Sequence, residues 1–138
     1  MLCGEIMENN VKFVGQNDDA GKAAKIMRDA EIGFVPVCDP KSSKLVGTLT
    51  DRDITIRLVA ENKPPKTRVA DIMSTHPIFC HADDDVEEAR ELMEAHQVSR
   101  MIVLDENERV TGVISLADIT GNDRTARAGE TLSEIKQP

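Results

Sequence analysis

An internal duplication constrains the fold of this chain more than any single motif does. The segment Asn17–Met27 (NDDAGKAAKIM) lies over Asp83–Met93 (DDDVEEARELM), 66 residues further along. The short segments GEIM and ADIM match at the same offset, and GTLTDRDI matches GVISLADI 65 residues later. At 138 residues, the chain is therefore expected to form two small, similar units that share one core.

Each repeat predicts the same order of elements: strand, helix, strand, strand, helix. The amphipathic helices are predicted at Asp19–Ala30 and Val86–His96, each after a run of acidic residues that suits a helix N-terminus. Three short strands per repeat cannot bury both faces of a sheet alone. We therefore expect an α+β fold in which two β-α-β-β-α repeats pack through their sheets with pseudo-twofold symmetry. The other predicted strands are Val11–Val14, Phe34–Cys38, Ile78–Cys80, Met101–Leu104 and the two stretches that end at Thr50 and Ser115.

The boundaries follow from the repeat and from a proline pair. Residues 1–62 are predicted as the first repeat and residues 69–122 as the second, with a linker at 63–68. Pro64 and Pro65 stop the last helix of the first repeat. The tail at 123–138 shows a short helical pattern in which Leu132 and Ile135 are three residues apart.

Composition narrows the classes of function. The formal charge of −8 and the pI near 4.9 argue against binding to nucleic acid or to an anionic membrane surface, because both need a basic face. Three cysteines without a CxxC pair favour reduced thiols in the cytoplasm. No secretory signal or transmembrane stretch is recognisable, so we expect a cytoplasmic protein.

The junction between a strand and a helix at KLVGTLTDRDI is the strongest candidate site. The helix start offers unpaired backbone N–H groups, while the Thr50 hydroxyl and the Arg52 guanidinium add donors for a phosphate. Asp53, within the first turn, could accept hydrogen bonds from two vicinal hydroxyls. The second copy keeps Ser115 and Asp118 but has alanine in place of the arginine, so the two sites need not bind equally well.

These residues carry a resemblance to paired CBS domains, the Bateman module. The two IM-containing segments, the two acidic helix starts, GFVPVCD and GTLTDRDI occur in the family's order, and the resemblance spans Glu5 to Thr120. The LTDRDI segment in particular looks like that of small stand-alone bacterial CBS-pair proteins. Such a resemblance implies a regulatory fold that binds AMP, ADP or ATP in clefts between the repeats, with S-adenosylmethionine or NADH as further ligands, and that requires no cofactor.

The resemblance also implies roles for individual residues. Asp53 and Asp118 would hold the ribose hydroxyls, and Thr50 and Ser115 would meet phosphate. Arg100 stands where family members often have a basic residue before the second strand of the repeat, and Phe34 takes that place in the first repeat. The apolar adenine slots would be formed by Val11, Lys12, Phe13, Val35 and Pro36 in one cleft and by Ile78, Met101 and Ile102 in the other. Because Arg52 has no counterpart, the first cleft is expected to bind more strongly.

Simpler explanations stand beside these predictions. Thr50 and Ser115 could serve only as helix caps, which stabilise by about 1 kcal/mol, and an acidic residue in the first helical turn is favoured without any ligand. His76, His81, His96 and Cys80 match no zinc spacing, so no metal site is predicted. No nucleophile, base and orienting group form a set, so we predict a protein that is not an enzyme.

Association with a second copy is also expected. Apolar residues lie on more than one side of the closing helices, and the resemblance implies a homodimer formed through them. The alternative to a nucleotide sensor is a homodimeric interaction or stress protein whose clefts bind nothing. In either case the effector protein that reads the signal is unknown from sequence.

Overall fold

The structure is a computed structural model that describes residues 1–126, with side chains described up to Gly121. The helical pattern predicted around Leu132 and Ile135 lies outside the described residues. The chain forms two compact units. The first-repeat unit comprises Val11–Pro77 with Glu108–Val110, and the second-repeat unit comprises Met1–Asn10, Ile78–Asn107 and the described chain from Thr111.

The first helix, α1 (Cys3–Ile6), lies in the second-repeat unit. The elements of the first-repeat unit are β1 (Val14–Gly15), α2 (Ala20–Ala30), β2 (Phe34–Cys38), β3 (Leu45–Thr50), α3 (Asp51–Asp53), a π-helical segment (Ile54–Val59) and a 3-10 turn (Val69–Asp71). Its three strands form a sheet in the order β1-β2-β3. The central strand β2 runs parallel to β1 and antiparallel to β3.

The second-repeat unit repeats this arrangement. Its elements after α1 are β4 (Phe79–His81), α4 (Val86–His96), β5 (Arg100–Leu104), β6 (Val110–Ser115) and α5 (Leu116–Ala126). Its sheet has the order β4-β5-β6, strand β4 pairs in parallel with β5, and the closing helix α5 begins directly after β6. The predicted α+β class and the β-α-β-β-α order of each repeat are confirmed.

Equivalent helices bury equivalent residues. In α2 the buried residues are Ala20, Ala23 and Met27, and in α4 the aligned Val86, Ala89 and Met93 are buried. This i, i+3, i+7 stripe packs the helix onto its sheet, and the small residues let the backbones approach closely. Both helices end in a left-handed residue with a φ of 55°, Glu31 in one and Gln97 in the other. Each unit has its own aliphatic core, in which no aromatic side chain is found among the described residues.

The first strand of each repeat differs from its prediction. A strand was expected over Val11–Val14, but pairing with β2 begins only at Val14, which faces Val37. Lys12 and Phe13 remain exposed, because they precede the pairing and reach no partner strand. In the second repeat the strand covers Phe79–His81, one residue later than predicted.

The closing helices also differ from each other in a way that the repeat does not predict. Both begin where expected, after Thr50 and after Ser115. The first changes to π-helical winding at Ile54, and the N–H of Ala60 donates to the carbonyl of Thr55, five residues back. The second continues as a regular α-helix to Ala126.

The lead-in segments, which are residues 1–10 and 69–77 at the start of the two repeats, lie in exchanged positions. Ser74, near the start of the second repeat, forms a two-way backbone bridge with Thr48 of β3 at 2.9 and 3.0 Å. Glu8, near the start of the first repeat, forms the corresponding bridge with Val113 of β6 at 2.8 and 3.1 Å. Each sheet is therefore bordered by the lead-in segment of the other repeat.

None of the described helices is long and apolar enough to cross a membrane.

Candidate functional site

The junction between β3 and α3 is fixed by a capping box. The backbone N–H of Asp53 donates to Thr50 Oγ1 at 3.0 Å, and the N–H of Thr50 donates to Asp53 Oδ2 at 3.0 Å. The two side chains thus satisfy backbone donors at the helix start that would otherwise lack partners. This arrangement holds Thr50 and Asp53 side by side at the end of β3.

The junction between β6 and α5 repeats that geometry. The N–H of Asp118 donates to Ser115 Oγ at 3.0 Å, and the N–H of Ser115 donates to Asp118 Oδ2 at 3.0 Å. The helix-capping role considered from the sequence is therefore present in both repeats. Ligand binding is not excluded by it, because a hydroxyl that accepts one hydrogen bond still has its own O–H to donate.

Arg52 lies in the first turn of the helix at the first junction. The Arg52 side chain is exposed and makes no hydrogen bond or ion pair within the part of the chain that the structure describes. Its backbone N–H donates to Asp51 Oδ1 at 2.8 Å. Ala117, the residue aligned with Arg52, is also exposed. A guanidinium that points into solvent is available to a phosphate, but the role of Arg52 toward a ligand stays a prediction.

Arg57 is a residue near the site that the sequence analysis did not select. Its Nε lies 3.9 Å from Asp53 Oδ1. Its Nη1 donates to the carbonyl of Met73 at 2.9 Å and to that of Ile72 at 3.3 Å. An i, i+4 spacing of an aspartate and an arginine is the sequence signal that could have revealed the pair.

Phe34, which takes the place of the family's basic residue in the first repeat, is half-buried and faces Thr50 across β2 and β3, which brings it to the junction.

The residues predicted for the first adenine slot differ in burial. Val35 is fully buried within the core cluster, and Pro36 is buried as well. Lys12 and Phe13 are exposed, and Phe13 has 58% of its surface accessible. Val11, partly buried, precedes them.

The second predicted slot follows the same pattern. Met101 is buried in the core cluster of its unit, and Ile102 is buried and pairs with Phe79 across β4 and β5. Ile78 is partly buried and packs against that core. Arg100 is exposed and is the first residue of β5. The structure therefore places Val35 and Met101 in cores, where their side chains present no surface to a ligand.

All three cysteines of the chain are buried free thiols. Burial raises the pKa of the Cys3 and Cys80 thiols above the ordinary value, and these two thiols share a hydrogen bond. Burial likewise raises the pKa of Cys38 in the first-repeat unit. Such thiols are poor nucleophiles at neutral pH. Within residues 1–126, no group of three or more His, Cys, Asp or Glu side chains is placed to hold a metal ion.

Sequence comparison identifies what the chain is similar to. The family model described as CBS domain matches residues 3–60 and again residues 69–123. The uncharacterized protein YlbB of Bacillus subtilis is 34% identical over 134 residues, which cover 96% of this chain and 90% of YlbB. The two matches of the family model coincide with the two copies of the duplicated sequence.

Two solved structures are similar over most of the chain. A crystal structure of Hypoxic Response Protein I with two coordinated zinc ions has a TM-score of 0.79 and 33% identity, covering 88% of this chain and 98% of that one. The CBS domain pair of protein MJ0100, in complex with 5′-methylthioadenosine and S-adenosyl-L-methionine, has a TM-score of 0.79 and 28% identity over 91% and 98% of the two chains. The zinc ions and the adenosyl ligands belong to those proteins.

Proposed function

Because this chain belongs to the CBS domain family, we propose that it is a regulatory module that binds an adenine nucleotide without turning it over. The observation that carries the proposal is the pair of strand-to-helix junctions, each presenting a hydroxyl beside a carboxylate with the same geometry. The adenosyl ligands of the MJ0100 pair support this class of ligand. AMP, ADP and ATP are the favoured ligands, and S-adenosylmethionine and NADH are the alternatives.

The roles follow from the chemistry of the junctions. A carboxylate accepts two hydrogen bonds from vicinal hydroxyls, which suits Asp53 and Asp118 to a ribose. The O–H groups of Thr50 and Ser115 remain available to donate to phosphate. Arg52, exposed and without a side-chain partner among the described residues, adds a forked cation in the first repeat only. The adenine base would contact Phe34 and the strand entries at Val11–Phe13 and Ile78, with Arg100 close to the base or the phosphate in the second site.

The mechanism we propose is a shift of population between two arrangements of the chain or of its partner. A nucleotide changes such an equilibrium only as far as it binds one arrangement more tightly, and couplings of this kind amount to about 1 to 3 kcal/mol. No chemical step is needed.

A second candidate function is a homodimeric interaction protein. The closing helix of the first repeat exposes 44% of Ile56 and 63% of Val59, although its neighbour Leu58 is buried. Exposed aliphatic side chains on one helix favour contact with another apolar surface, and a second copy of the chain would supply one. Light scattering coupled to size-exclusion chromatography, with Val59→Glu as the disrupting variant, tests the dimer directly.

Isothermal titration with AMP, ATP, S-adenosylmethionine and NADH separates the two candidates. Binding of at least one ligand is expected, and silence from all four would leave the dimer as the functional unit. The variants Asp53→Asn and Asp118→Asn keep an oxygen for the helix cap but lose the charge and one acceptor. We expect Asp53→Asn to weaken binding about tenfold or more and Asp118→Asn to retain most of it. The reverse ranking would contradict the assignment of the stronger site to the first repeat.

A further inference from the structure

Arg57 connects three parts of the first-repeat unit. It lies in the π-helical segment, one turn after Asp53, and its Nε is 3.9 Å from Asp53 Oδ1. Its Nη1 donates to the backbone carbonyls of Met73 and Ile72 at 2.9 and 3.3 Å. Those carbonyls precede Ser74, whose backbone is paired with Thr48 of β3. One guanidinium therefore links the carboxylate of the motif to the segment that borders the same sheet.

Asp53 has a geometric need for such a partner. Its Oδ2 accepts from the N–H of Thr50, whereas Oδ1 is the oxygen that lies 3.9 Å from Arg57 Nε. Only 13% of the Asp53 side chain is exposed, so its charge is largely removed from water. A desolvated carboxylate is stabilised by a nearby cation, and a cation anchored at two carbonyls is held in a fixed place.

We propose that Arg57 is a positioning residue for ribose recognition: it holds the Asp53 carboxylate so that Oδ1 is directed toward the sugar hydroxyls, while its own anchor is the Ile72–Met73 backbone. The proposal rests on the proposed nucleotide function of this junction. Arg57 itself contacts no ligand in this arrangement. It acts on affinity through the carboxylate.

The second repeat has no arginine at the aligned position. The residue aligned with Arg57 is Asn122, which carries no charge. The capping box around Asp118 is nevertheless the same. The proposed positioning by an arginine one turn after the aspartate therefore applies to the first repeat, in which Arg52 also offers a cation to the phosphate.

The test compares AMP with 2′,3′-dideoxyadenosine monophosphate, which lacks both sugar hydroxyls. Titrations use the full chain with Arg57→Gln, Arg57→Lys and the matched control Arg28→Gln. Arg28 pairs with Asp29 on the exposed face of α2 in the same unit, so its loss changes the net charge equally. We expect Arg57→Gln to weaken AMP binding about fivefold and to leave binding of the dideoxy analogue unchanged. Arg57→Lys should fall between, because a lysine keeps the charge but cannot bond both carbonyls while facing Asp53.

Other results would overturn the role of Arg57. Equal weakening of both nucleotides would mean that the arginine meets phosphate or supports only the fold, and unchanged AMP affinity would mean that it does neither. In the Asp53→Asn background, Arg57→Gln should cause no further loss, whereas an additive loss contradicts the positioning role. If the Tm shows that Arg57→Gln does not fold, the same comparison of AMP with the dideoxy analogue is made with Arg57→Lys, which should weaken only AMP binding.

Failure of the wild type to bind any adenosyl ligand would contradict the proposed function itself, which is a distinct outcome.

Discussion

The two strand-to-helix junctions have the same capping geometry and different surroundings. All four capping hydrogen bonds measure 3.0 Å, so neither repeat holds its hydroxyl and carboxylate more tightly than the other. Around Thr50 and Asp53 there are two arginines, but the aligned residues in the second repeat are Ala117 and Asn122. The shared hydroxyl and aspartate, which cap both helices equally, therefore do not distinguish the two repeats as ligand sites. The basis for ligand preference must be sought in what the repeats do not share.

A second difference concerns the residue pairs that form a backbone hydrogen bond at the two helix starts. The N–H of Asp51 donates to the carbonyl of Gly33, and that of Leu116 donates to Ser99, each at 3.0 Å. A Cβ at Gly33 would lie 2.7 Å from Asp51 Oδ2, so the Asp51 side chain would have to move. In the second repeat the aligned residues are Ser99 and Leu116, and leucine has no carboxylate to contact the Cβ of the serine. The two positions have changed together while the backbone bond between them has stayed.

The largest effect is expected from the glycines that precede the junctions. A Cβ at Gly47 would lie 2.5 Å from the Ser74 carbonyl oxygen, whereas one at Gly112 would lie 2.5 Å from Met7 Sδ and 3.0 Å from the Glu8 oxygen. A thioether can move more easily than a bridged backbone. We expect Gly47→Ala to cost about 3 kcal/mol of unfolding free energy and Gly112→Ala about 1 to 2, measured by urea denaturation.

Gly121→Ala is the matched control for the two glycine variants. A Cβ at this helical position meets nothing within 4 Å among the described residues. Alanine favours a helix over glycine, so the variant should be neutral or more stable by up to about 1 kcal/mol. Equal losses of unfolding free energy in Gly47→Ala and Gly112→Ala would show that the segments next to the two glycines adjust equally well. The two repeats would then not differ in this respect.

A smaller effect is expected from the caps. Thr50→Ala and Ser115→Ala each remove one side-chain acceptor for a helix N–H, so each should lower the unfolding free energy by about 1 kcal/mol. Because the geometry is the same in both repeats, the two losses should agree. Thr50→Ser serves as the control, since it keeps the hydroxyl. A much larger loss at one junction, seen in thermal or urea unfolding, would show that its hydroxyl does more than cap.

The smallest effect near neutral pH concerns the thiols. Burial holds the pKa of Cys3, Cys80 and Cys38 above the ordinary value, so the folded chain keeps protons that the unfolded chain releases. The contribution of these thiols to the free energy of unfolding should therefore be constant below about pH 8.5 and fall above it. Urea titrations across that range should show that Cys3→Ala with Cys80→Ala reduces the slope about twice as much as Cys38→Ala. An unchanged slope in both variants would assign the alkaline loss to other groups.

Much of the fold could be predicted because the same sequence pattern occurs in both repeats, so each predicted helix or strand is supported by two segments. The helix at Val86–His96 and the strand at Phe34–Cys38 have the predicted bounds, and both closing helices begin at the predicted residues. The start of the first strand at Val11 was wrong, since its bounds depend on where a partner strand lies. Pattern alone does not carry that information.

The candidate site was predictable only in part. Thr50 and Asp53 are adjacent through a local capping motif that sequence spacing indicates. Arg57 was missed because two of its contacts are with carbonyls 15 and 16 residues away, on a segment that the repeat alignment assigns to the other half. The π-helical winding that begins at Ile54 has no sequence signal that we recognise.

The exchange of lead-in segments affects how the protein can be made and cut. During synthesis most of the first-repeat unit, residues 11–77, leaves the ribosome as one contiguous stretch. Residues 1–10 cannot form their native contacts until the second repeat has been synthesised, because Glu8 pairs with Val113 and the carbonyl of Met1 accepts from the N–H of Val86. Division of the gene at the linker would therefore yield two fragments, each of which carries the lead-in segment that borders the sheet of the other. A fragment in which residues 1–10 are fused to the second repeat, whose sheet they border, would be the better route to an isolated half.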